Sequence, residues 1–289
     1  MSHVSPSRGR SRASAAMIAL STLAFVGTTG AFGACSDGDP QPAVNADSTT
    51  AAAPAASRTP TYTVEVVAEY PHDTAAFTQG LLWHEGRLFE STGQVGTSNI
   101  REVTLASGKV VRQQDLEEPH FGEGIVILGN TLYQITWQSG KAFTYDWKTF
   151  KRTGEFKYDG EGWGLTTDGT SIIMSNGSNV LIYRDPKTFA AMKAVEVKDQ
   201  GNTVPQLNEL EWVKGEIWAN VWQKDSIARI DPATGEVKGW IDLTGILPQL
   251  DRTGKEDVLN GIAYDVATDK IHVTGKLWPK VYEVRLKAK

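Results

Sequence analysis

"EGIVILGNTLYQITW" runs from Glu123 to Trp137. It reads as two short strands joined by a Gly-Asn turn. What makes the stretch decisive is that its layout returns elsewhere in the chain. First arms begin with "QGLLW" at Gln79, "EGIVI" at Glu123, "WGLTT" at Trp163, "NELEW" at Asn208 and "NGIAY" at Asn260. Second arms are "RLFESTG", "TLYQITW", "SIIMSNG", "EIWANVW" and "KIHVTGK", ending at Gly93, Trp137, Gly177, Trp222 and Lys276. Successive starts lie 44, 40, 45 and 52 residues apart, and the start-to-end gap is 14 in four copies and 16 in the fifth. A hairpin of fixed length repeated at this period is the signature of a propeller blade.

After most hairpins come two more strand-like runs around a turn, as in "NIREVTLASGKVVRQQDL", "NVLIYRDPKTFAAMKAVEV" and "SIARIDPATGEVKGWIDL". The D-P-x-T and A-S-G-K tetrads are turn chemistry. The sequence therefore predicts an all-β fold, a five-bladed β-propeller with four antiparallel strands per blade. The insertion "TGILPQLDRTGKEDV" accounts for the longest spacing. After Lys276 there is room for only one strand, "KVYEVRL", so the last blade lacks an outer strand. "TYTVEVVAEY" at 61–70 precedes the first repeat without a partner, and it is expected to supply that strand and close the ring, leaving no open seam.

In such a ring the first strand of each blade lies nearest the axis. An antiparallel hairpin brings its start and its end to the same edge. Gln79, Glu123, Trp163, Asn208 and Asn260 should then share one mouth of the channel with Gly93, Trp137, Gly177, Trp222 and Lys276, the two glycines widening it. A structural ring would be small and apolar. This one carries an acid, a base, three amides and three indoles, the makings of a pocket with aromatic walls and specific polar contacts. The other six tryptophans fall off these positions and read as core. His72, His84, His120 and His272 show no metal-ligand spacing and read as surface or strand residues.

Net charge is only −5 with 22% charged residues, which excludes a basic nucleic-acid surface. "SRGRSR" followed by "ASAAMIALSTLAFVGTTGAFG" has the charged and apolar regions of a secretory signal, so residues 1–34 are expected to be a leader and not a core helix. Its end resembles a bacterial lipoprotein signal, which would make Cys35 the lipidated first residue, although Phe32 stands where Leu is usual. Ordinary cleavage without lipid is the alternative. Either way the mature protein is expected to be exported, periplasmic or anchored to a membrane by lipid alone. With a single Cys it forms no internal disulfide. Residues 36–60 are small, polar and Pro-rich and read as a disordered linker, placing the folded domain at 61–289.

"FTQGL", "FGEGI", "EGWGLTTDG", "LNELEWV…IWANVWQ", "RIDPATGEV" and "DVLNGIAYD…VTGK" resemble the bacterial and plant-type glutaminyl-peptide cyclotransferases in sequence and in order, from about residue 62 onward. The resemblance implies a five-bladed propeller that converts an N-terminal glutamine of peptides or proteins into pyroglutamate and ammonia, with no cofactor and no catalytic metal. It implies that Glu123 is the essential acid/base carboxylate. Phe77, Gln79 and Phe121 would belong to the substrate pocket, Trp137, Trp163 and Trp222 to its aromatic walls, and Asn208 and Lys276 to its polar contacts. Glu209 and Asn260 are added as weaker candidates. A monomer is expected, because a closed ring needs no partner.

Two other functions stay open on the residues alone. Glu123, Asn208 and Asn260 outline the metal set of a propeller lactonase, although a lysine in the ring would repel the ion and one carboxylate offers a hard cation little charge. An exported propeller could also capture peptide N-termini without turning them over.

Overall fold

The computed structural model describes residues 58–288. The leader, Cys35 and residues 36–57 of the linker lie outside them. Among the described residues, apart from one turn of 3-10 helix at Gln249–Asp251, every regular element is a strand. Strand β1 (Thr61–Pro71) comes first. A four-stranded sheet follows, made in chain order from β2 (Thr78–His84), β3 (Arg87–Thr92), β4 (Asn99–Thr104) and β5 (Lys109–Asp115). A second has β6 (Gly122–Leu128), β7 (Thr131–Thr136), β8 (Lys141–Asp146) and β9 (Arg152–Lys157). A third has β10 (Leu165–Thr167), β11 (Ile172–Met174), β12 (Val180–Arg184) and β13 (Ala191–Glu196). A small ribbon of β14 (Lys198–Asp199) and β15 (Asn202–Thr203) leads onward.

The remaining strands are β16 (Leu207–Val213), β17 (Glu216–Val221), β18 (Ser226–Ile230), β19 (Val237–Asp242), β20 (Leu259–Asp265), β21 (Lys270–Gly275) and β22 (Lys280–Ala288). With β1 they form an eight-stranded sheet ordered β16-β17-β18-β19-β1-β22-β21-β20. β1 runs antiparallel to β22 from Tyr62↔Ala288 to Pro71↔Lys280. It also pairs in parallel with β19 at Thr61↔Trp240, Tyr62↔Ile241 and Thr63↔Asp242. That contact between two outer strands has no local sequence pattern and was not anticipated.

Local chemistry explains the hairpins. β2–β3 and β16–β17 are joined by two-residue turns, Glu85-Gly86 and Lys214-Gly215, with both residues at positive φ. That geometry matches the natural strand twist. In the D-P-x-T turns Asp185 Oδ1 accepts the Lys187 and Thr188 amides, both at 2.8 Å, and Asp231 Oδ1 accepts those of Ala233 and Thr234 at 2.9 and 3.0 Å.

Apolar residues fill layers between neighbouring sheets. On β6, Ile125 and Ile127 join Leu82, Phe89 and Ile100 of the first sheet, whereas Val126 points the other way to Leu165, Ile172 and Phe189 of the third. The two-residue period of a strand thus serves two cores at once. Ile173, Leu181 and Tyr183 meet Leu210, Ile217 and Ile230; Trp218 and Ile227 meet Ile262, Val273 and Tyr282; Leu81 and Leu88 meet Ala263. The first strands pack side by side: β2 against β6 and β20, β6 against β10, β10 against β16, and β16 against β20.

Four of those first strands break register near their start: between Thr78 and Gly80, Gly122 and Ile125, Leu207 and Leu210, and Leu259 and Ile262. A bulge sets an extra residue against the partner strand and re-aims its side chain. Gln79, Glu123, Asn208 and Asn260 all sit in these bulges. In the third sheet Trp163 instead lies just ahead of β10, fixed by its amide to Ser175 O at 3.0 Å.

Two expectations need correcting. His72 and His120 are neither surface nor strand residues; both are buried in connecting segments. Gly93 and Gly177 do not widen a mouth. A Cβ on Gly93 would run into the Phe121 ring, and one on Gly177 would lie 2.6 Å from a ring carbon of Trp163, so each glycine seats an aromatic side chain against the backbone.

Candidate active site

The bulges and strand ends converge on one cleft of about 220 Å³, lined by Phe77, Gln79, Phe121, Glu123, Trp137, Trp163, Asn208, Trp222, Asp257 and Lys276. Nine of these ten are residues the sequence nominated. Larger depressions of about 450 and 460 Å³ lie elsewhere, one lined by Lys214, Arg229 and Asp269, the other by Trp83, Trp212 and Tyr264. Neither gathers the marked positions.

Glu123 is 5% exposed. Its flanking glycines are dictated by close packing: a Cβ on Gly122 would lie 2.8 Å from Gln134 Nε2, and one on Gly124 would lie 2.6 Å from the Leu165 nitrogen. Its backbone is held by a chain of side chains. Tyr145 donates to Gln134 at 3.2 Å, Gln134 to Ser91 at 3.1 Å, and Ser91 to the Glu123 carbonyl at 2.6 Å. Its carboxyl accepts one hydrogen bond, from Gln79 Nε2 at 3.2 Å. Burial pushes this group well above the ordinary carboxylate range; the Lys276 ammonium pulls it back only partly, and the Glu161 carboxylate pushes it further up. Indoles desolvating a carboxyl outweigh the nearby ammonium here.

Aromatic rings build the walls. Phe77 meets Phe121 edge-on at 6.1 Å, Phe121 meets Trp137 at 5.8 Å, and Trp163 meets Trp222 at 5.8 Å and 85°. Lys276, 5% exposed, holds Nζ 4.8 Å from the Phe77 centroid. Burial lowers its proton affinity, against the opposing pull of Glu123 and Asp257. Asn208 is 2% exposed and its Oδ1 has no hydrogen-bond partner among the described residues. A buried acceptor left open inside a cleft is suited to an N–H donor from a ligand.

Two candidates lie outside the lining. Asn260 sits behind it, donating from Nδ2 to Thr78 O at 3.0 Å and to Gln79 Oε1 at 3.4 Å. Glu209 accepts the Leu81 amide at 3.2 Å and the Ile262 amide at 2.9 Å, stapling β16 to β2 and β20. Only the Nδ2 group of Asn260 is engaged this way; its Oδ1 has no hydrogen-bond partner among the described residues, but Asn260 does not line the cleft with Glu123 and Asn208. Among the described residues no group of three or more His, Cys, Asp or Glu side chains could hold a metal ion.

Two residues were missed. Asp257 comes from the insertion, where no repeat predicts its place. Glu161 accepts the indole N–H groups of both Trp137 and Trp163. Its signal was in the chain: "GEG" occurs at 160–162 as well as at 122–124.

A family model described as glutamine cyclotransferase matches residues 42–286. A glutaminyl-peptide cyclotransferase of Arabidopsis thaliana is 46% identical over 228 residues, 78% of this chain and 71% of that protein. The chain belongs to the glutamine cyclotransferase family. Among solved structures, Myxococcus xanthus glutaminyl cyclase is similar with a TM-score of 0.75 and 40% identity, over 80% of this chain and 99% of that one. The stretch shared with the cyclotransferase family includes every residue of the cleft.

Proposed function

We infer that this protein is a glutaminyl-peptide cyclotransferase acting on peptides or proteins that begin with glutamine, with Glu123 as its acid/base and no catalytic metal. The observation that carries this reading is that the one buried carboxyl lining the cleft has raised proton affinity and shares that lining with indoles, an unpaired amide oxygen and a buried ammonium. The substrate's α-amine attacks its own side-chain amide carbon; a C–N bond forms, and the bond to the departing nitrogen breaks. Because the reaction is intramolecular, the main task is to hold a flexible side chain in its ring-like conformer, and a narrow aromatic slot does this. In carboxylate form Glu123 takes a proton from the attacking amine and then returns it to the leaving ammonia. Raised proton affinity makes it a stronger base for the first step. Lys276 stabilises the developing oxyanion, and Asn208 Oδ1 receives an N–H of the bound amine or amide.

Phe77, Phe121, Trp137, Trp163 and Trp222 grip the apolar stem in this scheme, and Gln79 orients Glu123. The finer architecture belongs to the same proposal: five blades around an axis, the last completed by β1, in a monomer. The pairing of β1 with β22 and the cyclic packing of the first strands support it. Residues 1–34 act as an export signal, and Cys35 as a lipid attachment point for a periplasmic or membrane-anchored protein; mass analysis of the mature N-terminus tests this. The activity is tested by incubating the protein with a synthetic Gln-initiated peptide, with and without chelator. Release of ammonia in both supports the reading. Loss with chelator favours metal chemistry, and binding without release makes the protein a capture module.

A further inference from the structure

The aromatic wall of the cleft has a gap that a carboxylate bridges. Rings touch from Phe77 through Phe121 to Trp137, and again from Trp163 to Trp222. Between the two groups stands Glu161, in the segment that joins the second sheet to the third. Its Oε2 accepts from Trp137 Nε1 at 2.8 Å and from Trp163 Nε1 at 3.0 Å, while Oε1 accepts from Gln138 Nε2 at 3.0 Å. Trp137 is 38% exposed, so packing alone holds its indole on one side only. A hydrogen bond to an ionised acceptor is stronger than one between neutral groups, and one carboxylate with two indoles fixes their mutual angle.

We propose that Glu161 is a positioning residue of the cyclisation, clamping the Trp137 and Trp163 indoles into one rigid wall and setting a fixed negative charge beside Glu123. This rests on the cyclotransferase reading above and adds to it a residue outside the repeat. Burial works against ionisation of Glu161, but the donors on Gln138, Trp163 and Trp137 outweigh it and hold the carboxyl below its usual range. The other titratable groups acting on Glu123 or lining its cleft are Lys276, which opposes Glu161, Tyr158, whose hydroxyl is engaged with Thr136, and Asp257, which acts on Lys276.

The experiment uses Glu161→Ala and Glu161→Gln. Indole N–H resonances of Trp137 and Trp163 are followed by NMR, and cyclisation of a Gln-initiated peptide is followed against pH. Glu161→Ala should shift both indole signals toward those of a solvated indole and lower kcat/KM by about 10- to 100-fold, mostly through KM. Glu161→Gln keeps an acceptor, so it should retain part of the indole shift and part of the activity. Both variants lose the charge, so both should move the acid limb of the pH profile to lower pH, which a purely structural role would not do. Unmoved indole signals in Glu161→Ala overturn the clamp whether or not any peptide is cyclised. Moved signals with unchanged kcat/KM overturn the positioning role. Inactivity of the unsubstituted protein overturns the underlying reading instead, and the positioning role with it.

Discussion

Gln79 donates a side-chain N–H to Oε1 of Glu123 at 3.2 Å, and its own carbonyl oxygen accepts from Asn260 at 3.4 Å. Asn260 is fully buried and does not line the cleft. The amide of Gln79 is thus turned by a residue the substrate never meets, and its N–H can only point at the carboxyl. Asn260→Ala should lower kcat by about 10- to 100-fold through misorientation, with KM little changed. A comparable rise in KM with kcat preserved would show that Asn260 serves binding and not the orientation of Glu123.

Lys276 and Glu123 oppose each other's burial. Removing the ammonium removes the positive charge that pulls the Glu123 carboxyl down. In Lys276→Met the acid limb of kcat/KM should therefore move to higher pH, whatever happens to the maximum. A limb that stays in place would mean that Lys276 does not act on the group that titrates.

Gly124 is held by contact. An added Cβ would meet the Leu165 nitrogen at 2.6 Å and the Gly164 Cα at 2.8 Å, both backbone atoms of the neighbouring sheet. Gly124→Ala should cost about 1–3 kcal/mol by overpacking. In a domain of this size each kcal/mol lowers the melting temperature by about 2–4 °C. A melting temperature equal to wild type would contradict that contact.

A buried ion network outside the cleft should make stability depend on pH. Glu90 Oε1 meets His72 Nε2 at 2.9 Å and Glu90 Oε2 meets Arg101 Nη2 at 2.7 Å, while Thr78, the neighbour of Gln79, donates to Glu90 at 2.7 Å. Burial would raise Glu90, but His72 and Arg101 bring it down from 4.5 to about 2. Burial would lower His72, but Glu90 outweighs it and the imidazole ends above 6.5. Stabilisation by Glu90 is present above its unfolded value and fades as pH falls toward 2. The His72 contribution is full below its unfolded value and fades as pH rises through the higher folded one. The melting-temperature gap between wild type and Glu90→Gln should be widest at about pH 5–6.5 and narrow on both sides. A gap independent of pH would rule the network out as its source.

Equal hairpin lengths made the marked positions legible. Gln79, Glu123, Trp163 and Asn208 each precede the end of the second arm by the same 14 residues, so their sharing one edge followed from strand geometry. The bulges were not legible, because these first strands are buried on both faces and carry no alternating pattern for an extra residue to interrupt. That is why Glu209 ranked only as a weaker candidate beside Asn208. In a regular strand neighbouring side chains take opposite faces, whereas here both sit in one bulge, Asn208 at the cleft and Glu209 among the amides of Leu81 and Ile262. Asp257 was hidden by lying in an insertion without a counterpart in other repeats. Glu161 carried a signal in the repeated "GEG", but it lies two residues ahead of a marked position and acts through the indoles it holds.

The central claim is that the buried carboxyl of Glu123 moves the proton during cyclisation, and Glu123→Gln tests it most directly. This variant keeps the shape of the side chain and an oxygen to accept from Gln79. Mass spectrometry of a Gln-initiated peptide should show loss of one ammonia with the wild-type protein, and a rate lower by about 10²–10⁴-fold with the variant at an unchanged melting profile. Turnover of the variant within a few-fold of wild type would contradict the account.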